Sequence, residues 1–341
     1  MRIALDAMGG DHAPEPIVAG AVQAVAADPE LRVVLVGDQA RVEPLVPVDA
    51  AGRDRIEFFH CSQAVGMEES PVVALRKKPD NSISRCWQLL AQQKVVGIVS
   101  AGNTGAMVAG GLFLKRFLKN VSRPGIAAVM PTIKGPSVMI DVGANVSPKA
   151  EQLFQYGVMG SIFARHILKR DRPTIGLMNV GSEEAKGTDL AKETHALFEA
   201  SPLKDRFVGN VEGRDIQRGV ADVVVCDGFV GNVVLKTCEG VFEFLMKVLQ
   251  KELLAGLQAE RDKAAQVLQG LASRYEYSSY GGAPLLGIDG VCIICHGSSG
   301  DLAIKNALAV AAEYVRAGLN ELIVKELEAA PVRGERGALA P

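Results

Sequence analysis

The chain has 341 residues, 48% of them hydrophobic and 22% charged, enough to bury one large core or two moderate ones. With 5% aromatic residues against 36 glycines, its interior must be built from Val, Ile, Leu and Ala with closely packed backbones, which favours a parallel α/β design. A formal net charge of −2 argues against a general nucleic-acid binder, which would be strongly basic. The opening apolar run is cut short by Asp6, too early for a signal peptide. The run Ala106 to Leu114 stops at Lys115, well under the roughly 20 residues that cross a bilayer, so a cytoplasmic protein is expected.

From the N-terminus one pattern repeats: a short apolar strand, a glycine-rich polar loop, then a segment of helical period. Arg2 to Leu5 runs into "DAMGGDHAPEP" and a helix from Ile17 to Ala27. Strands are expected at Arg32 to Val36 and Ile56 to Phe59, and Val95 to Val99 runs into "SAGNTG" and a helix from Met107 to Leu118. After a strand at Ala127 to Met130, Val138 to Ile140 leads to "DVGANVSPKAEQ" and a helix with Leu153, Tyr156, Gly160, Phe163 and Ile167 on one face. Thr174 to Met178 leads to "NVGSEEAKGTD" and Val223 to Val225 to "CDGFVGN". Val291 to Cys295 leads to "HGSSGD" and a last helix carrying Ile304, Leu308, Ala311 and Val315. Strands alternating with helices imply right-handed crossovers and a doubly wound, mostly parallel α/β sheet.

One segment departs from the pattern. Residues 241–272 read as a protruding helical hairpin turning near Gly256, with Leu253, Leu254 and Leu257 at its tip and Lys247, Lys251, Arg261 and Lys263 around them. It reads either as a dimer-packing element or as an apolar tip with a basic collar that enters an anionic headgroup region. Residues 329–341, containing "PVRGERGALAP", have no hydrophobic period and read as a disordered tail. The cysteines are scattered except for Cys292 and Cys295; residues three apart on a strand face opposite sides, which favours two core residues over a redox or zinc pair.

In a doubly wound sheet, the loops at the carboxyl ends of the strands gather where ligands bind. Six such loops here are rich in Gly, Asn, Ser, Asp and His, and one shared polar site is expected. Glycine lets backbone N–H groups approach an anion, and a following helix adds favourable partial charge. No strand is followed by G-x-G-x-x-G, and no P-loop, H-E-x-x-H or G-x-S-x-G is present, so a small oxyanion such as phosphate is the simplest ligand. No metal or cofactor motif is apparent.

The sequence "MRIALDAMGGDHAPEPIVAG" resembles the start of the bacterial phosphate acyltransferases of phospholipid synthesis, the PlsX family. The likeness continues through "ALRKKPDNS", "SAGNTGA", "DVGANV", "GNVEGRDI", "VADVVVCDGFVGNV", "YGGAPLLG" and "HGSS", in order along nearly the whole chain. Departures are local: Ser182, Ala185 and Thr188 stand where the family more often has Glu, Thr and Asn, and Gly300 where it has Asn. The resemblance implies a two-lobed sheet of the phosphotransacetylase and isopropylmalate dehydrogenase type. It also implies one catalytic domain over 1–328 that transfers an acyl group from acyl-carrier protein to inorganic phosphate. It further implies a cytoplasmic homodimer peripherally bound to the membrane, with the downstream glycerol-3-phosphate acyltransferase as a further partner.

That reaction assigns candidate roles. Backbone N–H groups of Gly9 and Gly10, of Gly102 to Thr104 and of Gly297, Ser298 and Ser299 would cradle phosphate and the developing oxyanion. Lys186 would fix phosphate charge, while His12 beside Asp11, or His296, would orient phosphate or carry a proton to the leaving sulfur. Ser100, Asn103, Asn145, Asn179 and Asn232 are neutral groups suited to positioning, and Asp6, Asp141 and Asp227 close three strands. The acidic carrier protein would dock on Arg76-Lys77-Lys78 or on the set Lys115, Arg116, Lys119 and Arg123. The alternatives are an NAD-dependent decarboxylating dehydrogenase on a related fold and a non-catalytic membrane-surface scaffold.

Overall fold

The computed structural model describes residues 1–256, 260–275 and 281–330. Its strands are β1 (Arg2–Asp6), β2 (Arg32–Gly37), β3 (Ile56–His60), β4 (Gly97–Ser100), β5 (Gly125–Met130), β6 (Ser137–Ile140), β7 (Ile175–Met178), β8 (Phe207–Val211), β9 (Val223–Val225), β10 (Ala283–Leu286) and β11 (Val291–Ile294). The helices before the midpoint are α1 (Glu15–Ala27), α2 (Gln39–Val42), α3 (Pro71–Lys77), α4 (Ser82–Ala91), α5 (Thr104–Leu114) and α6 (Ala150–His166). Those after it are α7 (Asp189–Glu199), α8 (Gly213–Ile216), α9 (Gly228–Gly256), α10 (Arg261–Tyr275), α11 (Asp301–Arg316) and α12 (Leu319–Ala329).

All eleven strands belong to one sheet, ordered β3-β2-β1-β4-β11-β10-β5-β6-β9-β7-β8. Alternate strand residues feed separate cores on its two faces: Ile3 and Leu5 lie with α1, α6, α11 and α12, while Ala4 lies with α4 and α5. Cys295 and Cys292 fall on opposite faces in the same way, both buried. Burial on both faces explains why the strands read as continuous apolar runs.

The sheet is not parallel throughout. β10 runs antiparallel to both β11 and β5, and β5 antiparallel to β6. The block β6-β9-β7-β8 therefore points opposite to β3-β2-β1-β4-β11. The strand-end loops therefore fall into two groups by direction, those after β1, β4 and β11 and those after β6, β9 and β7.

Two strands escape sequence reading for local reasons. β8 contains Gly209 at φ +83° and pairs with β7 through a register shift, and β10 carries Pro284, which lacks a ladder donor. The helix α12, with Leu319, Ile323 and Leu327 on its buried stripe, was likewise not expected. The first hairpin helix ends at Gly256 and the second starts at Arg261, but the first starts at Gly228, directly after the β9 loop, rather than at Val241. Leu253 is exposed near its tip; Leu257, the side chain of Leu254 and the tail beyond Ala330 lie outside the described residues.

Candidate active site

The β1, β4 and β11 loops are fastened together by their own polar groups. Asp6 is fully buried at the end of β1; its Oδ2 accepts from Ser100 Oγ at 2.7 Å and its Oδ1 from Met8 N at 3.1 Å, with Ser82 also bonding the carboxyl. Burial raises the pKa of Asp6 despite these donors. Ser100 Oγ in turn accepts from Gly102 N at 3.0 Å. A Cβ on Gly9 would stand 2.6 Å from Gly102 N and 2.8 Å from Gly102 Cα, so the two loops touch backbone to backbone. Gly10, at φ +120°, then turns the chain so that Asp11 N donates to Gly297 O at 2.7 Å. Asp6 and Ser100 are thus struts beneath the loops rather than groups facing a ligand.

Asn103 is committed in the same way. Its Oδ1 caps α5 at Ala106 N (3.0 Å), and its Nδ2 donates to the carbonyls of Met67 (2.9 Å), Glu69 (3.1 Å) and Gly66 (3.3 Å). It anchors the 62–70 loop, so its amide is not free to position a substrate.

Between these loops and α9 a cavity of about 300 Å³ opens on the sheet face. Asp11, Thr104, His296 and Ser299 border it from the loops, and Asn232, Lys236 and Glu239 from α9. Its apolar floor includes Ile126, Ala128, Val142 and Ile294. Cys295 lines it too, but burial pushes its thiol up to about 12, which leaves no thiolate nucleophile at neutral pH. His296 Nδ1 lies 2.7 Å from Ser298 Oγ and accepts from Ser298 N at 3.3 Å. That places the hydrogen of a neutral ring on Nε2.

The second loop group is knitted by Asp141. Its Oδ1 accepts from the N–H groups of Ile126, Ala144 and Gly143, and its Oδ2 from Asn145 N at 2.6 Å. Asn145 donates to Gln152 Oε1, and Asp227 Oδ1 accepts from Phe229 N and Val230 N, both at 2.9 Å, fixing the start of α9. Asn179 binds Lys186 O at 3.1 Å and Val180 N at 2.8 Å, closing the β7 loop on itself. These residues face inward to their own loops. Val142 of the β6 loop and Asn232 join the groups: both line the first cavity, and Asn232 lies 3.8 Å from where a Cβ on Gly143 would sit.

The structure therefore brings Gly9, Gly10, Asp11, Gly102, Thr104, Gly297, Ser298, Ser299, His296 and Asn232 around one region, and leaves others outside it. Lys186 is exposed in the β7 loop and does not line that cavity; exposed His12 does not line it either. Sequence reasoning passed over Ser82, Lys236 and Glu239, although Lys236 stands one helical turn after Asn232. Larger cavities of about 650 Å³ lie elsewhere, one beneath Tyr314 and Asn320, the other between Phe229 and Leu190. Among the described residues no cluster of His, Cys, Asp or Glu could hold a metal ion, and no helix is long and apolar enough to cross a membrane.

Residues 1–322 match the family model described as "Fatty acid synthesis protein". A phosphate acyltransferase of Geotalea uraniireducens is 46% identical over 331 residues, covering 96% of this chain and 94% of its own. This chain belongs to the phosphate acyltransferase family. One from Heliobacterium modesticaldum is 46% identical over 319 residues, covering 93% of this chain and 94% of its own. Members of this family are acyltransferases of fatty acid and phospholipid synthesis, and so is this enzyme. A phosphotransacetylase from Streptococcus pyogenes shares its fold, with a TM-score of 0.61 at 17% identity over 93% of this chain and 94% of that one.

Proposed function

We propose that this enzyme transfers a long-chain acyl group from acyl-carrier protein to inorganic phosphate, releasing acyl phosphate and the free carrier thiol. The observation that carries this reading is a single cavity with glycine-built loops at its rim and an apolar floor of Ile126, Ala128, Val142 and Ile294. One end suits an oxyanion, the other an alkyl chain. A phosphate oxygen forms the new bond to the thioester carbonyl carbon, the carbon–sulfur bond breaks, and the proton of hydrogen phosphate passes to the departing sulfur. Phosphate needs no activating triad, so the protein's work is positioning, oxyanion stabilisation and exclusion of water from a labile product. His296 Nε2 is suited to relay the proton, and Asn232 Nδ2 to hold the carbonyl or phosphate oxygen.

The continuous sheet supports treating residues 1–328 as one catalytic unit. The far half of α9 exposes Val241, Phe244, Leu245 and Leu249, which supports a homodimer, and exposed Leu253 supports contact with the cytoplasmic membrane surface. There the product would reach a glycerol-3-phosphate acyltransferase. For the acidic carrier protein, Arg76 and Lys77 on α3 are the better docking pair, because Lys78, Arg116 and Lys119 are already paired with Glu69, Asp289 and Glu328. Free carrier thiol is measured with long-chain acyl-carrier protein, with and without phosphate. Thiol release matched by acyl phosphate formation is expected; release that does not require phosphate overturns the reading.

A further inference from the structure

Resting on that reading, a charge problem remains at the cavity. A phosphate dianion must enter a space whose wall already carries two carboxylates, Asp11 and Glu239. The loops offer dipoles, and Asn232 a neutral amide. Among the described residues bordering the cavity, Lys236 is the one lysine or arginine.

Its placement follows from α9. Asn232 and Lys236 are four residues apart and so lie on one face of the helix, which looks onto the cavity. Lys236 Nζ donates to Glu239 Oε2 at 2.8 Å, with the two side chains 50% and 28% exposed. A half-exposed pair three residues apart on a helix contributes little net stability. The ammonium can therefore leave Glu239 for a doubly charged anion with little penalty, while Glu239 keeps the flexible lysine stem turned toward the cavity beforehand. Lysine serves here as a compact point charge that follows phosphate as its geometry changes.

We propose that Lys236 is the side chain that binds the acceptor phosphate, with Glu239 holding its ammonium in place until phosphate arrives. The test is steady-state kinetics of the full-length enzyme with varied phosphate and varied acyl-carrier protein, for Lys236→Gln, Lys236→Arg and Glu239→Gln. Lys236→Gln should raise the KM for phosphate about tenfold or more, the loss of one charge-assisted bond, and leave the KM for the acyl donor nearly unchanged. Lys236→Arg should recover part of the loss, and Glu239→Gln should lower the phosphate KM. Phosphate-dependent thermal stabilisation, present in the parent, should vanish in Lys236→Gln. An unchanged phosphate KM and undiminished stabilisation in a folded Lys236→Gln enzyme overturn the assignment while the acyl-transfer reading stands. A parent enzyme that makes no acyl phosphate overturns both.

Discussion

Replacing Gly9 by alanine tests whether contact between the β1 and β4 loops sets the geometry of the site. The new Cβ would strike the buried Asp6 Oδ2 and lie 2.6 Å from Gly102 N, about 0.8 Å inside the 3.4 Å at which ordinary contact begins, and between the two loops the obstacle is backbone on both sides. Neither loop can yield by rotating a side chain, so Gly9 and Gly102 must separate by most of that distance. A shift of that size in groups that position reactants lowers kcat/KM by about a hundredfold, or ~2.7 kcal/mol of transition-state stabilisation. Overpacking should also remove ~1–3 kcal/mol of stability. Initial rates of phosphate-dependent thiol release measure the first effect and urea unfolding the second. Gly300→Ala is the control, because a Cβ there meets nothing within 4 Å although it sits in the neighbouring β11 loop. If Gly9→Ala retains kcat/KM within about threefold of the parent, a change under ~1 kcal/mol, the loops do not need this contact and the reasoning fails.

Three further outcomes are expected. Ala128→Leu, which fills the apolar floor, should lower kcat/KM for long-chain donors by about tenfold relative to short ones; equal loss at every chain length would show that the floor does not hold the chain. Because burial raises the pKa of Asp6 above its ordinary 3.8, the folded state keeps that proton longer than the unfolded state. The stability Asp6 contributes is thus complete below pH 3.8 and lost as pH rises through its folded value; the parent's unfolding free energy should fall relative to Asp6→Asn over that rise, and a constant difference would contradict it. Leu253→Glu should reduce cosedimentation with anionic liposomes by at least about tenfold, the loss of one buried leucine, while thiol release in solution persists; unchanged cosedimentation would remove the tip from the membrane contact.

Much of the fold was legible because the inner strands sit between two cores. Stretches such as Val223 to Val225 and Val291 to Ile294 are buried on both faces, so apolar runs punctuated by glycine loops marked them without need of alternation. What the sequence could not disclose was direction. Nothing in Ala283 to Leu286 announces that this strand will lie between β11 and β5 and run against both, which leaves β5 parallel to β11; the antiparallel β5–β6 pair is what reverses β6, β9 and β7 and sets their loops apart. The loops after β1, β4 and β11 could be recognised individually, and they do converge. Lys186, by contrast, was chosen for its setting in a polar strand-end loop, a property it shares with residues at the other end of the sheet.

The roles of single polar residues were hardest to read, because composition cannot tell a group that faces a ligand from one that holds the loop. Asp6, Asn103, Asn145, Asn179 and Asp227 all have the chemistry of a binding site, and all are hydrogen-bonded to their own loops or to neighbouring ones. The site they support is bounded on its other side by α9, whose first half carries Asn232, Lys236 and Glu239. Its second half leaves Val241, Phe244, Leu245 and Leu249 exposed along the helix. At about 1.5 Å per residue the helix spans about 43 Å, so cavity wall and apolar stretch are two ends of one element. Under the proposed function, a second copy or a lipid surface at the far end would bear on the same helix that presents Lys236 to the cavity.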